Sequence, residues 1–140
     1  MQQHVANWGQ IVFFLGLALL ATHELDAMTH KEWRLLPILD QLDDDKARAA
    51  FVLLHIPLFW VLFFLTSSKS PSVRTVVQIG VSLFLVAHAI IHFNLSGHAL
   101  YEFQAPIETI TVYGGAIAGA LFLVLVLVGR SATDHAADPV

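Results

Sequence analysis

The segment His23-Glu-Leu-Asp26-Ala-Met-Thr-His30-Lys-Glu32-Trp33-Arg34 comes just after residues 11–21, which are all apolar or glycine. His23, Asp26 and His30 are spaced i, i+3, i+7, so on a helix of 3.6 residues per turn they lie within about 60° of each other. The run before them lacks the polar stripe of a soluble amphipathic helix. The pattern predicts a membrane helix that leaves the bilayer with a polar face.

Composition supports a membrane protein and excludes several functions. The chain has 140 residues, of which 56% are hydrophobic and only 13% are charged, against about 25% charged in ordinary soluble domains. A net charge of −4 gives no electrostatic basis for binding nucleic acid. The sequence holds no cysteine, which excludes disulfides, thiolate metal ligands and cysteine nucleophiles. The length fits a single domain.

The apolar residues are gathered into four blocks, each close to the roughly 20 residues that span a hydrocarbon core of about 30 Å. The connections are short, which favours antiparallel neighbours. The sequence therefore predicts an all-α fold, an integral membrane up-down-up-down four-helix bundle that forms one transmembrane domain over residues 1–140. The predicted helices cover about residues 8–28, 47–65, 73–95 and 106–129, and a disordered tail is predicted for residues 130–140.

Two kinds of contact are expected in the membrane. The lipid bilayer surrounds the apolar helices. Gly115-Ala-Ile-Ala-Gly119 is a small-xxx-small motif that lets two helices approach closely. We interpret it as packing within the bundle, and a homo-oligomer contact through Gly115 and Gly119 is the alternative.

An antiparallel order brings most histidines to one end of the bundle. The end of the first helix, the start of the second, the end of the third and the start of the fourth then share one side of the membrane. His88 and His92 form an i, i+4 pair, the spacing by which a helix offers two nitrogens to one metal. Ionisable groups at membrane depth are costly and usually mark a function. The candidate metal ligands are His23, Asp26, His55, His88 and His92.

Ligand type limits the metal and the chemistry. Imidazole and carboxylate without sulfur predict a divalent metal, zinc or iron, as one or two ions. Glu24 and Glu102 are the candidate catalytic residues, because either could act as a general base near the interface. Glu32 is interpreted as a salt-bridged surface residue, and Lys31 and Arg34 as interfacial anchors.

The sequence therefore predicts an integral membrane metal-binding protein, and whether it is an enzyme stays open. As an enzyme it would be a metal-dependent hydrolase or oxidoreductase acting on a lipid-like small molecule. One alternative is a non-enzymatic membrane subunit, or a proton-relay or pH-sensing protein, because histidine titrates near neutral pH. A second is a membrane cytochrome in which His55 and His88 bind a haem iron.

Several short motifs resemble those of a family of small uncharacterised bacterial membrane proteins, related to the HXXEE-motif membrane proteins. They are Thr22-His-Glu-Leu-Asp-Ala27, Glu32-Trp-Arg34, His55-Ile-Pro57 and His88-x-x-x-His92. The resemblance covers about residues 8–129 and implies a bacterial inner membrane location. The shared residues that it implies are His23, Asp26, Glu32, His55, His88 and His92. The HXXEE motif would place glutamates at positions 26 and 27, where this chain has Asp26 and Ala27.

Overall fold

A computed structural model describes the backbone of residues 2–137 and the side chains of residues 7–129. This part of the chain contains helices and no strand. Two short 3-10 helices, Glu32–Arg34 and Leu39–Gln41, lie in the first connection. The four long helices are α1 (Gln2–Thr29), α2 (Asp44–Thr66), α3 (Pro71–Leu95) and α4 (Pro106–Ala137).

Each long helix contains a segment that is long and apolar enough to cross a membrane, so the predicted fold class is confirmed. These segments are Asn7–Thr29, Asp44–Thr66, Pro71–Leu95 and Pro106–Gly129. The backbone of α4 continues to Ala137, into the tail that we predict to be disordered. Residues 138–140 of that tail, and the side chains of His4 and His135, lie outside the described part.

Three helices form the core, and α2 lies at its edge. In α1, α3 and α4, 33% of an apolar 18-residue segment is buried inside the protein. In α2 only 6% of the corresponding segment is buried. α2 packs mainly against α3 and the first connection, and it meets α1 through the pair of His55 and Glu24. Its remaining apolar surface suits a lipid environment. The central core side chains are Phe13, Leu17, Leu20, Leu85 and Phe122.

Glycines let the core helices approach closely. A Cβ atom added at Gly119 would lie 2.7 Å from the carbonyl oxygen of Ser82 on α3, which no side chain rearrangement could relieve. One added at Gly115 would lie 3.6 Å from Leu85 Cδ2. The small-xxx-small motif is therefore used to pack α4 against α3 within the chain.

Helices α1 and α3 contact each other near both ends. At one end, Gln78 Nε2 donates to Gln10 Oε1 over 3.1 Å. At the other end, the His23 ring lies against the His92 ring, with 4.8 Å between the centroids. These contacts agree with an up-down-up-down order, which itself stays a prediction. An apolar cluster that includes Ala27, Trp33, Phe51, Tyr101 and Phe103 packs at the histidine end.

Candidate metal centre

The connection after α1 turns back over the helix end and carries Glu32 into the protein. Lys31 adopts a left-handed conformation with φ 53°, and the 3-10 helix Glu32–Arg34 follows at once. A left-handed conformation costs a residue other than glycine about 1–2 kcal/mol, so other contacts must hold it. Asp44 supplies them at the start of α2: its Oδ1 accepts hydrogen bonds from Trp33 Nε1 at 3.0 Å and Arg34 Nε at 2.7 Å.

Glu32 meets three histidines, and we call these four residues the histidine cluster. His23 Nε2 lies 3.3 Å from one carboxylate oxygen of Glu32. The other oxygen lies 3.9 Å from His88 Nε2 and 3.7 Å from His92 Nε2. All four residues are buried, from 1% exposed for His23 to 9% for His88. Three imidazoles on α1 and α3 thus converge on one carboxylate.

Several polar atoms of the histidine cluster have no hydrogen-bond partner. They are Nδ1 and Nε2 of His23 and Oε2 of Glu32, all of them buried. Leaving such a group unpaired costs about 1–3 kcal/mol, and native proteins rarely do so without an ion or a water. These unpaired atoms could together bind a cation, which would accept an imidazole lone pair and a carboxylate oxygen.

Glu32 is suited to be the anionic ligand. Burial raises the pKa of its carboxyl group, but the side chains of His23, His88 and His92 lower it more, so that its pKa lies well below the usual range. The carboxylate therefore stays ionised at neutral pH. The interpretation of Glu32 as a surface residue is wrong, because only 8% of the residue is exposed.

Tyr101 orients one imidazole of the histidine cluster. Its hydroxyl oxygen lies 3.1 Å from His92 Nδ1. Burial, with the nearby Tyr113, Glu32 and Glu108, raises the pKa of Tyr101 to about 12, so the phenol keeps its proton at neutral pH. If His92 Nδ1–H donates to this oxygen, the lone pair on Nε2 is left for a metal, as in most histidine-metal sites.

The spacing of the ligand atoms fits a metal. Zinc binds imidazole at about 2.0–2.1 Å, so two ligand atoms of a tetrahedral site lie about 3.3–3.4 Å apart. The Nε2 atoms of His88 and His92 are 3.1 Å apart, and one ligand atom from each of the four residues lies within 4.8 Å of the others. The histidine cluster could therefore hold a metal ion.

A second group, which we call the carboxylate cluster, contains Asp26, His30 and Glu108. His30 Nε2 lies 3.2 Å from Glu108 Oε1, and His30 Nδ1 lies 3.5 Å from Asp26 Oδ2. One ligand atom from each residue lies within 4.8 Å of the others. The Phe103 ring packs against His30, at 5.0 Å between centroids, and against His23, at 5.5 Å.

The structure divides the predicted ligands among different places. His23, His88 and His92 come together, whereas Asp26 joins the carboxylate cluster. The i, i+3 spacing of His23 and Asp26 does not reveal this division. It depends on the partner elements, because His23 meets His88 of α3, whereas Asp26 lies with Glu108 of α4.

His55 has a partner of its own. Its Nε2 lies 2.8 Å from Glu24 Oε2, and its Nδ1 lies 2.7 Å from the carbonyl oxygen of Phe51. Glu102, the other candidate base, is exposed. None of these three residues is part of the histidine cluster.

Fold and site together define a class: an all-helical protein with four apolar, membrane-length helices and a buried histidine and glutamate group that could bind a metal. The chain belongs to the family of unknown function DUF6713, which matches residues 9–129. This confirms the expected membership in an uncharacterised family. Searches of curated proteins and of solved structures gave no match.

Proposed function

We propose that this is an integral membrane metal-binding protein that holds one zinc or iron ion in the histidine cluster. The observation that carries the proposal is the convergence of three buried imidazoles on one buried carboxylate. A divalent cation would use the lone pair of His23 Nε2 and the Oε2 atom of Glu32, which lie 3.3 Å apart and form no hydrogen bond. Imidazole with carboxylate is a ligand set that suits zinc and iron.

The cluster is of the closed type. Structural zinc sites have four protein ligands, whereas catalytic sites keep one position for water or substrate. Here four side chains from α1, α3 and the first connection offer one ligand atom each. A bound ion would therefore fasten these elements together. This geometry favours a structural role for the metal over turnover of a lipid-like substrate.

Metal content tests the proposal. The protein is purified in detergent after growth with zinc and iron, and bound metal is measured by plasma mass spectrometry. We expect one ion per chain in the wild type, and loss of that ion in the His88→Ala/His92→Ala variant. His98→Ala is the matched control, because His98 is an exposed histidine of the third connection. Substoichiometric metal in the wild type would contradict the proposal.

Both alternative functions would depend on His55, which lies outside the histidine cluster. A haem would need His55 and His88, but His55 pairs with Glu24 on α1 and His88 lies against His92. A proton relay could use the Glu24–His55 pair. A Soret band in the purified protein would favour the haem. Activity or assembly that tolerates removal of the bound metal would favour the relay.

Two further proposals rest on the family resemblance of the sequence motifs. The bacterial inner membrane location and the relation to the HXXEE-motif proteins are proposals. The second is weakened by Asp26, which stands where that motif has glutamate and lies outside the histidine cluster.

A further inference from the structure

The carboxylate cluster has charges that its own residues do not balance. Glu108 is only 3% exposed, and its Oε2 atom is buried without a hydrogen-bond partner. Asp26 Oδ2 is buried and unpartnered in the same way. Within the cluster, two carboxylates thus share a single imidazole, that of His30. Burying carboxylates without compensation is costly, so a further positive group is expected here.

The hydrogen bonds of His30 narrow the choice of that group. His30 Nδ1 lies 3.0 Å from the backbone carbonyl oxygen of Asp26, so it must carry a hydrogen and donate it. Its Nε2 faces Glu108 Oε1 at 3.2 Å. A lone pair facing a carboxylate oxygen is repulsive unless a proton or a cation lies between them. A proton between His30 Nε2 and Glu108 Oε1 would contact only these two atoms. A metal cation at the same place could also bind Asp26 Oδ2, which has no hydrogen-bond partner.

A cavity lies beside Glu108. It has a volume of about 190 Å³, and its lining includes Glu108, Tyr101, Gln104, Thr109 and Tyr113. Its wall combines these hydroxyl and amide groups with the apolar side chains of Phe103 and Val112. A water molecule takes up about 30 Å³ of liquid, so the cavity can hold several beside Glu108.

We propose that Asp26, His30 and Glu108 form a second divalent-cation site that is open through this cavity. Its three ligands leave coordination positions for water or for a ligand that enters from the cavity, which is the pattern of an exchangeable or catalytic site. Two carboxylates neutralise a divalent charge, and a set rich in oxygen suits manganese better than the nitrogen-rich histidine cluster does. The site shares no ligand with the histidine cluster, so either can fail alone.

Manganese binding tests the second site directly. The wild type is first given one equivalent of zinc per chain to fill the histidine cluster, because excess zinc would also compete with manganese for the second site. MnCl₂ is then titrated while free Mn²⁺ is followed by electron paramagnetic resonance. We expect one Mn²⁺ per chain. Glu108→Gln should weaken this binding by about tenfold or more and leave the zinc content unchanged. Asp40→Asn is the control, because it removes an exposed carboxylate of the first connection and should bind Mn²⁺ as the wild type does.

The outcomes separate this proposal from the first. Mn²⁺ binding that persists in His88→Ala/His92→Ala would support an independent second site. No Mn²⁺ binding by the wild type, or equal binding by Glu108→Gln and Asp40→Asn, would overturn it. If Glu108→Gln loses helix content by circular dichroism, Asp26→Asn takes its place, with the same expected loss of binding.

Discussion

The histidine cluster and the carboxylate cluster draw ligands from the same face of α1 but differ in nearly every other respect. The histidine cluster has three imidazoles and one carboxylate, all buried, and its four protein ligands would close it. The carboxylate cluster has one imidazole and two carboxylates, and its Glu108 lines a cavity. The same stripe of polar residues therefore contributes to two groups, because His23 meets His92 of α3, whereas His30 meets Glu108 of α4.

The elements that complete each cluster explain the difference. α3 adds His88 and His92 to the first, and the turn at Lys31 closes it with Glu32. α4 adds Glu108 to the second, close to the third connection. A substitution of a residue that only one cluster contains should therefore weaken metal binding there and leave the other cluster in place.

Glu32→Gln should give the largest effect that is confined to one cluster. It removes the only negative charge of the histidine cluster while keeping the side-chain shape. We expect zinc affinity to fall by roughly 100-fold or more, since even outer partners of metal ligands contribute about 10–100-fold. Competition with a zinc chelator measures this, and Mn²⁺ binding reports on the carboxylate cluster. Asp40→Asn, at an exposed carboxylate, is the control, and wild-type zinc affinity in Glu32→Gln would show that Glu32 is not a ligand.

Gly119→Ala should disturb the packing that carries α3. The new methyl group would collide with the Ser82 carbonyl oxygen, so α3 must move away from α4. We expect the free energy of unfolding to fall by about 1–3 kcal/mol. Zinc affinity should fall more than Mn²⁺ affinity, because only the histidine cluster takes ligands from α3.

Gly80→Ala is the matched control for this packing change. A Cβ atom at Gly80 would meet nothing within 4 Å. Alanine in a helix interior should therefore stabilise the protein by about 0.5–1 kcal/mol. Equal unfolding curves for the two alanine variants would contradict the close contact at Gly119.

Tyr101→Phe should have a smaller effect than Glu32→Gln or Gly119→Ala. It removes the hydroxyl beside His92 Nδ1 but keeps the ring that packs near Phe103. We expect zinc affinity to fall by about 10-fold, the lower end for an outer partner. Tyr113→Phe removes a hydroxyl from the same cavity without touching His92 and should bind zinc normally. A similar loss in both variants would mean that the cavity wall, rather than the Tyr101 hydroxyl, matters.

Much of the fold could be predicted from hydrophobicity alone. Four apolar blocks of membrane length indicated four helices, and the i, i+4 pair of His88 and His92 faces His23 as expected. The sequence did not reveal the role of Glu32, because its position depends on the left-handed Lys31 and on the contacts of Asp44. Local periodicity carries no information about such a turn.

His55 shows a second limit of sequence reasoning. Its depth in the second helix could be estimated by counting residues, but its direction could not. In the structure it pairs with Glu24, which is 31 residues earlier in the chain. The depth of an ionisable residue therefore indicates its layer in the membrane but not its partner.

X-ray absorption spectroscopy of the metal-loaded protein tests the central claim most directly. It counts the atoms around the ion and identifies imidazole by its ring scattering. We predict three imidazole nitrogens and one carboxylate oxygen at about 2.0–2.1 Å from zinc, with no sulfur. An ion surrounded only by oxygen, or by a single imidazole, would contradict the assignment of His23, Glu32, His88 and His92 as its ligands.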